Sequence, residues 1–460
     1  MIGGRLRDYV GALGVSESLP KQLAASEFSG VSIDSRTVKP GNLFFCIVGE
    51  THDGHDFAAE ALSKGAAAVV IDTEHDLKGE SFISVPNTLT ALGDLARFHL
   101  QNMSLRKVAV TGTNGKTTCK NMIAASLAGS YKVCATTGNF NNLYGVPLSI
   151  FEFAPGCEVA VFEFGMSTPG EISRLVEIVD PDIRVILNIG PAHLETMHTL
   201  EAIADAKFEI LENAKEDDWA VLNLDDPMIC NRYGRQAIAH LGFAETVDCE
   251  VKPEHVYSNG SGHVHFVLQG EDFRLPILGR HHLHNALAAV AVARVLDVPM
   301  ADIRQRLESY EPLGNRMQRL EIAGMTIIND AYNANPVSVK GALETIATLS
   351  ITGRRLVVFG DMLELGEESE RLHAEVGERI VEAGIDRLLL MGEYAVVVQA
   401  AALAAGMPPE AVSVLKSHDE IAEVLFAELQ PGDLVLLKAS RALKFEKIEI
   451  ALRGGLGRKN

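Results

Sequence analysis

Short, unbroken apolar runs recur along this chain, set apart by stretches whose apolar residues fall at helical spacing. Residues 106–111, 159–164, 184–189 and 220–224 form one set of runs; 326–329, 356–359, 387–391 and 434–438 form another. A strand covered on both faces has no solvent side, so its residues do not alternate. Continuous runs between helices therefore predict parallel sheets with helices on both faces. A smaller set opens the chain, with a strand within 41–49, a helix near 57–64 and a strand at 67–71. Pro312, Leu313 and Gly314 form a turn signal between the two larger sets. The expected architecture is α/β with three domains. These are a small N-terminal α/β domain (1–103), a central domain with a mainly parallel sheet (104–313) and a C-terminal Rossmann-like domain (314–460). The glycine-rich tail from Gly454 to Asn460 is expected to fray.

Composition narrows the function. Acidic residues number 61 against 41 basic ones, a formal charge of −20, and no long basic run occurs. Nucleic-acid binding through phosphate neutralisation is thereby disfavoured, although a local cationic pocket can still take an anion. The six cysteines include no C-x-x-C pair and read as incidental thiols of a reducing compartment. The first residues carry no apolar signal core. The most apolar helical run, 286–296, contains Arg294 and is too short to span a bilayer. No membrane association is expected, and the expected location is the cytoplasm.

Gly112, Thr113, Asn114, Gly115, Lys116, Thr117 and Thr118 fall between the strand ending at Thr111 and a helix starting near Thr117. Glycines let the backbone approach phosphate oxygens, and a helix N-terminus adds positive potential. Lys116 can reach the β- and γ-phosphates of ATP, and the Thr117 hydroxyl can hold Mg²⁺. This makes the central domain a P-loop ATPase domain. The spacing is a short form of the loop, since Val110 stands where the common pattern has its first glycine. Glu163 ends the apolar run 159–163 and, on a parallel sheet, would lie beside the loop as a magnesium ligand. On spacing alone it also fits a solvated carboxylate at a strand end.

Several segments together resemble the Mur ligases, which build the peptide of bacterial peptidoglycan. They are the loop itself, Glu163, the run from Asn188 to Glu195, Ala206-Lys207-Phe208-Glu209, Gly279 with His284-Asn285-Ala286, and Gly314 to Gln318. Three further segments resemble the MurF type of that family: Gly138 to Asn142 with Gly145 to Leu148, Asp330 to Pro336, and Gly360 to Gly366. Asn329, Ala331 and Ala439 depart from the family's usual residues.

The resemblance implies ATP-dependent ligation of D-alanyl-D-alanine to UDP-N-acetylmuramoyl-tripeptide through an acyl phosphate. It implies that Lys116, Glu163, His193, Lys207 and Arg316 are the catalytic set. Thr117, Glu163 and His193 would contact two Mg²⁺ ions, and Lys207 would be carbamylated. Asn285 and Asp330 would hold adenine and ribose. Ser35, Arg36, Asn139 and Asn142 would meet the UDP-linked substrate, and Asp361 and Arg441 the dipeptide. Taken alone, His193 is a loop histidine, Lys207 a surface lysine on a helix, Arg316 an ion-pair former at a domain boundary, and Asn333 and Asn335 turn formers before Pro336. His281, His282 and His284 match no metal spacing and are expected to flank a helix start. A monomer is expected. The alternatives are another amide ligase of the family, acting at the tripeptide stage or on folylpolyglutamate, and a P-loop ATPase switch. The sequence leaves open whether the tripeptide's third residue is diaminopimelate or lysine.

Overall fold

The computed structural model describes residues 2–456 apart from 16–18, 50, 76, 78, 233–237 and 259. Its central element is a six-stranded parallel sheet in the order Ala239–Phe243, Trp219–Asn223, Ile183–Ile186, Arg106–Thr111, Val159–Glu163, Val133–Ala135. Arg106–Thr111 begins the fold, and the chain first builds to one side of it and then to the other. Such a reversal opens a crevice at the carboxyl ends of the strands. The run expected to extend to residue 189 leaves the sheet after Ile186. Beyond it, the Leu187 carbonyl accepts from Asn223 Nδ2 and the Asn188 carbonyl accepts from the Thr113 N–H, so the chain turns to wall the glycine loop.

One face of this sheet is covered by the helices Lys116–Leu127 and His282–Val295, which pack on each other. The second helix is buried almost all round, which explains its apolar sequence without a membrane. Among the described residues, no helix is long and apolar enough to cross a bilayer. Beside it lies an antiparallel meander, His255–Ser258, His263–Leu268 and Glu271–Leu278.

A second six-stranded sheet runs Gln318–Ile322, Met325–Asn329, Leu434–Lys438, Arg355–Gly360, Arg387–Met391, Val412–Val414, parallel except for its first strand. Towards the N-terminus, Val31–Ser32, Leu43–Phe45, Ala68–Asp72 and Phe82–Val85 form a four-stranded parallel sheet. The Gly3–Arg5 strand pairs antiparallel with Glu27–Ser29. The tail departs from expectation. The helix Glu446–Leu456 carries Gly454 and Gly455, because Leu452 is fully buried and Gly455 lies against the Phe426 ring. The last four residues lie outside the described part. All six cysteines are free thiols.

Candidate active site at the glycine loop

The glycine loop hangs between Arg106–Thr111 and Lys116–Leu127. Gly115 takes φ +82°, and a Cβ there would stand 2.3 Å from Asn285 Oδ1. Glycine is required twice over, by the left-handed backbone and by the approach of Asn285. Asn188 pins the preceding residue from both sides: its Oδ1 accepts the Asn114 N–H and its Nδ2 donates to the Asn114 carbonyl. Thr113 closes the loop, with Oγ1 donating to the Gly190 carbonyl and accepting the Gly190 N–H. Thr118 is buried in the first helical turn.

Lys116 folds back over the loop, its ammonium donating to the carbonyls of Gly112 (2.8 Å) and Thr113 (3.2 Å). Burial lowers its pKa, with Glu163 opposing and Arg316 adding to the fall. Glu163 is 2 % exposed. Its Oε1 accepts from Asn141 Nδ2 at 2.9 Å, while Oε2 is enclosed without a hydrogen-bond partner among the described residues. An orphaned carboxylate oxygen at the end of the strand paired with the one that leads into the loop, and a threonine hydroxyl at the helix start, are oxygen donors that fit a hard divalent cation.

Lys207 lies on Leu200–Phe208, almost fully buried, with its pKa driven far down by burial and secondarily by Lys116. The reading of it as a surface lysine fails here. His193 takes a left-handed backbone (φ +54°) at the start of the Leu194–Met197 helix. Its Nδ1 lies 2.5 Å from Glu364 Oε2, a residue of the C-terminal lobe.

That lobe supplies two more contacts. Arg316 Nη2 donates to Thr117 Oγ1 at 3.0 Å, and its guanidinium stacks 3.8 Å from the Tyr332 ring centroid. Asn335 exchanges side-chain hydrogen bonds with Asn114 (2.7 and 3.2 Å) while capping the helix Pro336–Thr348. The turn expected at Asn335 is therefore a helix cap that also touches the loop.

The remaining candidates are partly occupied by the protein itself. Asn285 Nδ2 meets His282 Nδ1, and Asp330 pairs with Lys438 (2.6 Å) and accepts the Met317 N–H. Asp361 spends its carboxylate on the N–H groups of Glu393 and Tyr394, while Arg441 stays half-exposed, 5.9 Å from the Tyr332 ring centroid. Ser35 donates to Glu60, and Arg36 reaches outward to Asp34. Asn142 caps the Gly145 N–H, and Asn139 is exposed. The helix Gly145–Phe151 packs on the strand Val31–Ser32, so the two sets flank one seam. Asn329, at a departure from the family pattern, is buried and donates to Asn315 and Glu449.

Asp53, His55 and His75 place ligand atoms within 4.8 Å of one another. His55 is consumed structurally, however. Its Nε2 accepts the Asp72 N–H, so Nδ1 carries the ring proton, toward Asp53, and has no lone pair for a metal.

Sequence reasoning missed Lys120, Asn141, Asn188 and Glu364 as site residues. Lys120 was within reach, standing one helical turn after Lys116; the others meet the site only through folding.

The Mur ligase middle domain matches residues 110–293, the Mur ligase glutamate ligase domain 315–441, and the Mur ligase family catalytic domain 27–99. The UDP-N-acetylmuramoyl-tripeptide–D-alanyl-D-alanine ligase of Bacillus subtilis is 37 % identical over 424 residues, covering 91 % of this chain and 92 % of the relative. A crystal structure of MurF from Acinetobacter baumannii superposes with TM-score 0.89 at 28 % identity, covering 99 % of both chains. MurF from Thermotoga maritima in complex with ADP gives 0.83 at 30 % identity, covering 96 % of this chain and all of that one.

Proposed function

The chain belongs to the Mur ligase family, and from that premise we propose that it joins D-alanyl-D-alanine to UDP-N-acetylmuramoyl-tripeptide, cleaving ATP to ADP and phosphate. One observation carries the reading best. Arg316, Asn335 and Glu364, all from the C-terminal lobe, converge on Thr117, Asn114 and His193 around one phosphate loop. A nucleotide switch has no need of a second Rossmann-like lobe reaching into its loop; a ligase that gathers a third substrate does.

The tripeptide's terminal carboxylate attacks the γ-phosphorus, and the bond to ADP breaks. The dipeptide amine then attacks the acyl carbon, loses a proton and expels phosphate. An anion must approach an anion, so charge neutralisation and positioning carry the catalysis. Lys116 shifts from the loop carbonyls to the β/γ-phosphates. Arg316, held over the Tyr332 ring, presents its fork to the transferring phosphoryl group. Thr117 and Glu163 would hold one Mg²⁺ and His193 a second, which when bound supply positive charge at the phosphate oxygens. Lys207, whose pKa burial drives far below the usual lysine range, would add to CO₂ through its deprotonated amine. Loss of a proton then gives a carbamate that replaces a repelled cation with an anionic partner.

Asn285 faces the adenine, and Asp330 keeps lone pairs for ribose hydroxyls beyond those it gives Lys438. Ser35, Arg36, Asn139 and Asn142 line the seam for the UDP-linked substrate. Arg441 takes the dipeptide carboxylate, while Asp361 holds the backbone beside it. The protein acts as a cytoplasmic monomer.

The test is phosphate release from the purified protein given ATP, Mg²⁺ and UDP-N-acetylmuramoyl-tripeptide. Release that depends on added D-alanyl-D-alanine is expected. Turnover with glutamate and a folate instead, or without any acceptor, would refute the reading.

A further inference from the structure

Lys120 has no part in the scheme above, yet it is one of the largest fully buried side chains, 1 % exposed. It stands four residues after Lys116 on the same helix. Its ammonium donates to the Thr136 carbonyl at 2.5 Å and to the Gly138 carbonyl at 3.1 Å, and lies 3.9 Å from Glu163 Oε2. A buried ammonium is costly unless it is paired and hydrogen-bonded, and an apolar side chain would fill the same space without that cost. The helix and sheet do not need the charge; the segment at 136–142 does.

That segment leaves the edge strand Val133–Ala135 without regular structure. Two other contacts join it to the acidic strand end. Thr136 Oγ1 accepts the Glu163 N–H, and Asn141 Nδ2 donates to Glu163 Oε1. Lys120 therefore ties three pieces together: the helix that starts at the phosphate loop, the Glu163 carboxylate, and the loop that carries Asn139 and Asn142.

We infer that Lys120 is a positioning residue that holds the 136–142 loop in the shape that receives the UDP-linked muramyl substrate. The inference rests on the reading of Asn139 and Asn142 as contacts to that substrate. With the lysine in place, the 136–142 loop is tied to the helix behind it, while Glu163 keeps its own bonds to Asn141 and Thr136.

Lys120→Met keeps the length and removes the charge and all donors. Its expected signature is a split in steady-state phosphate release. KM for UDP-N-acetylmuramoyl-tripeptide rises at least about tenfold, while KM for ATP moves by less than about twofold. Lys120→Arg, which keeps the cation and its donors, recovers part of that loss. A muramyl KM that stays at the wild-type value overturns the inference. So does an equal rise in both KM values, which would mark a purely structural support of the phosphate-loop helix. Should the methionine variant fail to fold, Lys120→Gln retains an uncharged amide NH₂ with two donors and is expected to give an intermediate muramyl KM, a wild-type value again overturning the inference. Wild-type turnover is measured first. Its absence counts against the proposed function, whereas normal wild-type turnover with an unaltered variant counts against Lys120 alone.

Discussion

Asn114 and Asn335 offer a direct measure of how strongly the C-terminal lobe grips the phosphate loop. Among the described residues, the Asn114 side chain hydrogen-bonds only to Asn335, through a reciprocal amide pair of 2.7 and 3.2 Å. Asn335 has a second duty, since its Oδ1 also accepts the Ser338 N–H at 2.9 Å as a helix cap. Alanine at 335 therefore removes a cap contributing about 1 kcal/mol and two neutral hydrogen bonds contributing about 0.5–1.5 kcal/mol each. Alanine at 114 removes the two hydrogen bonds alone. The shared part should appear as a coupling of about 1–3 kcal/mol, roughly 5- to 160-fold in kcat/KM for ATP. The assay is a double-mutant cycle of Asn114→Ala, Asn335→Ala and both, read as kcat/KM for ATP beside urea unfolding. The double variant should be scarcely worse in turnover than Asn335→Ala, and only variants lacking Asn335 should lose the cap's share of stability. Losses that simply add, within about 0.5 kcal/mol, would refute a bridge between lobes.

Three further outcomes are expected. Lys207→Ala should abolish turnover, and ¹³C-bicarbonate should give the wild type a carbamate resonance that the variant lacks; full activity of the variant at every CO₂ level would contradict the assignment. Gly115→Ala should fold yet lose nucleotide-dependent thermal stabilisation, because the new methyl meets Asn285 and the φ of +82° adds strain of about 1–2 kcal/mol; retained ADP binding would count against it. Asp225→Asn should lower stability at neutral pH. Burial would raise the carboxyl's pKa, but hydrogen bonds from His284, Thr246 and Glu245 outweigh it and hold the value below the usual range. A depressed folded pKa stabilises above the ordinary value of about 4 and loses that contribution as pH falls through the folded value. Urea unfolding from pH 7 to 3 should thus show the gap between wild type and variant closing on the acid side, and a constant gap would be inconsistent.

The sheets were legible because their strands are buried on both faces. Arg106–Thr111, Arg387–Met391 and Leu434–Lys438 occupy the residues that their apolar runs mark out. The meander at His255–Leu278 was not. Its middle strand alternates buried and half-exposed residues and interleaves histidines with valine and phenylalanine, so no continuous run announces it. At the site, the loop and Glu163 are local in sequence and could be placed by strand–turn–helix logic. Glu364 and Asn335 could not. Each lies more than a hundred residues from its partner, and nothing in the local pattern around either points across the molecule. Lys207 shows a third kind of gap: helical spacing locates the residue, but only packing from other elements buries it and drives its pKa down.

The second lobe touches the phosphate loop and its wall through side chains carried on loops and helix caps at the edge of its sheet, not through its packed core. An inhibitor therefore need not resemble ATP or a muramyl peptide. A small, flat molecule able to wedge between Arg316 and Thr117, or to displace Glu364 from His193, would prise the lobes apart while leaving each of them folded. Resistance by substitution at such a wedge would be narrow, because the residues that the compound displaces are those the proposed mechanism relies on to join the two lobes.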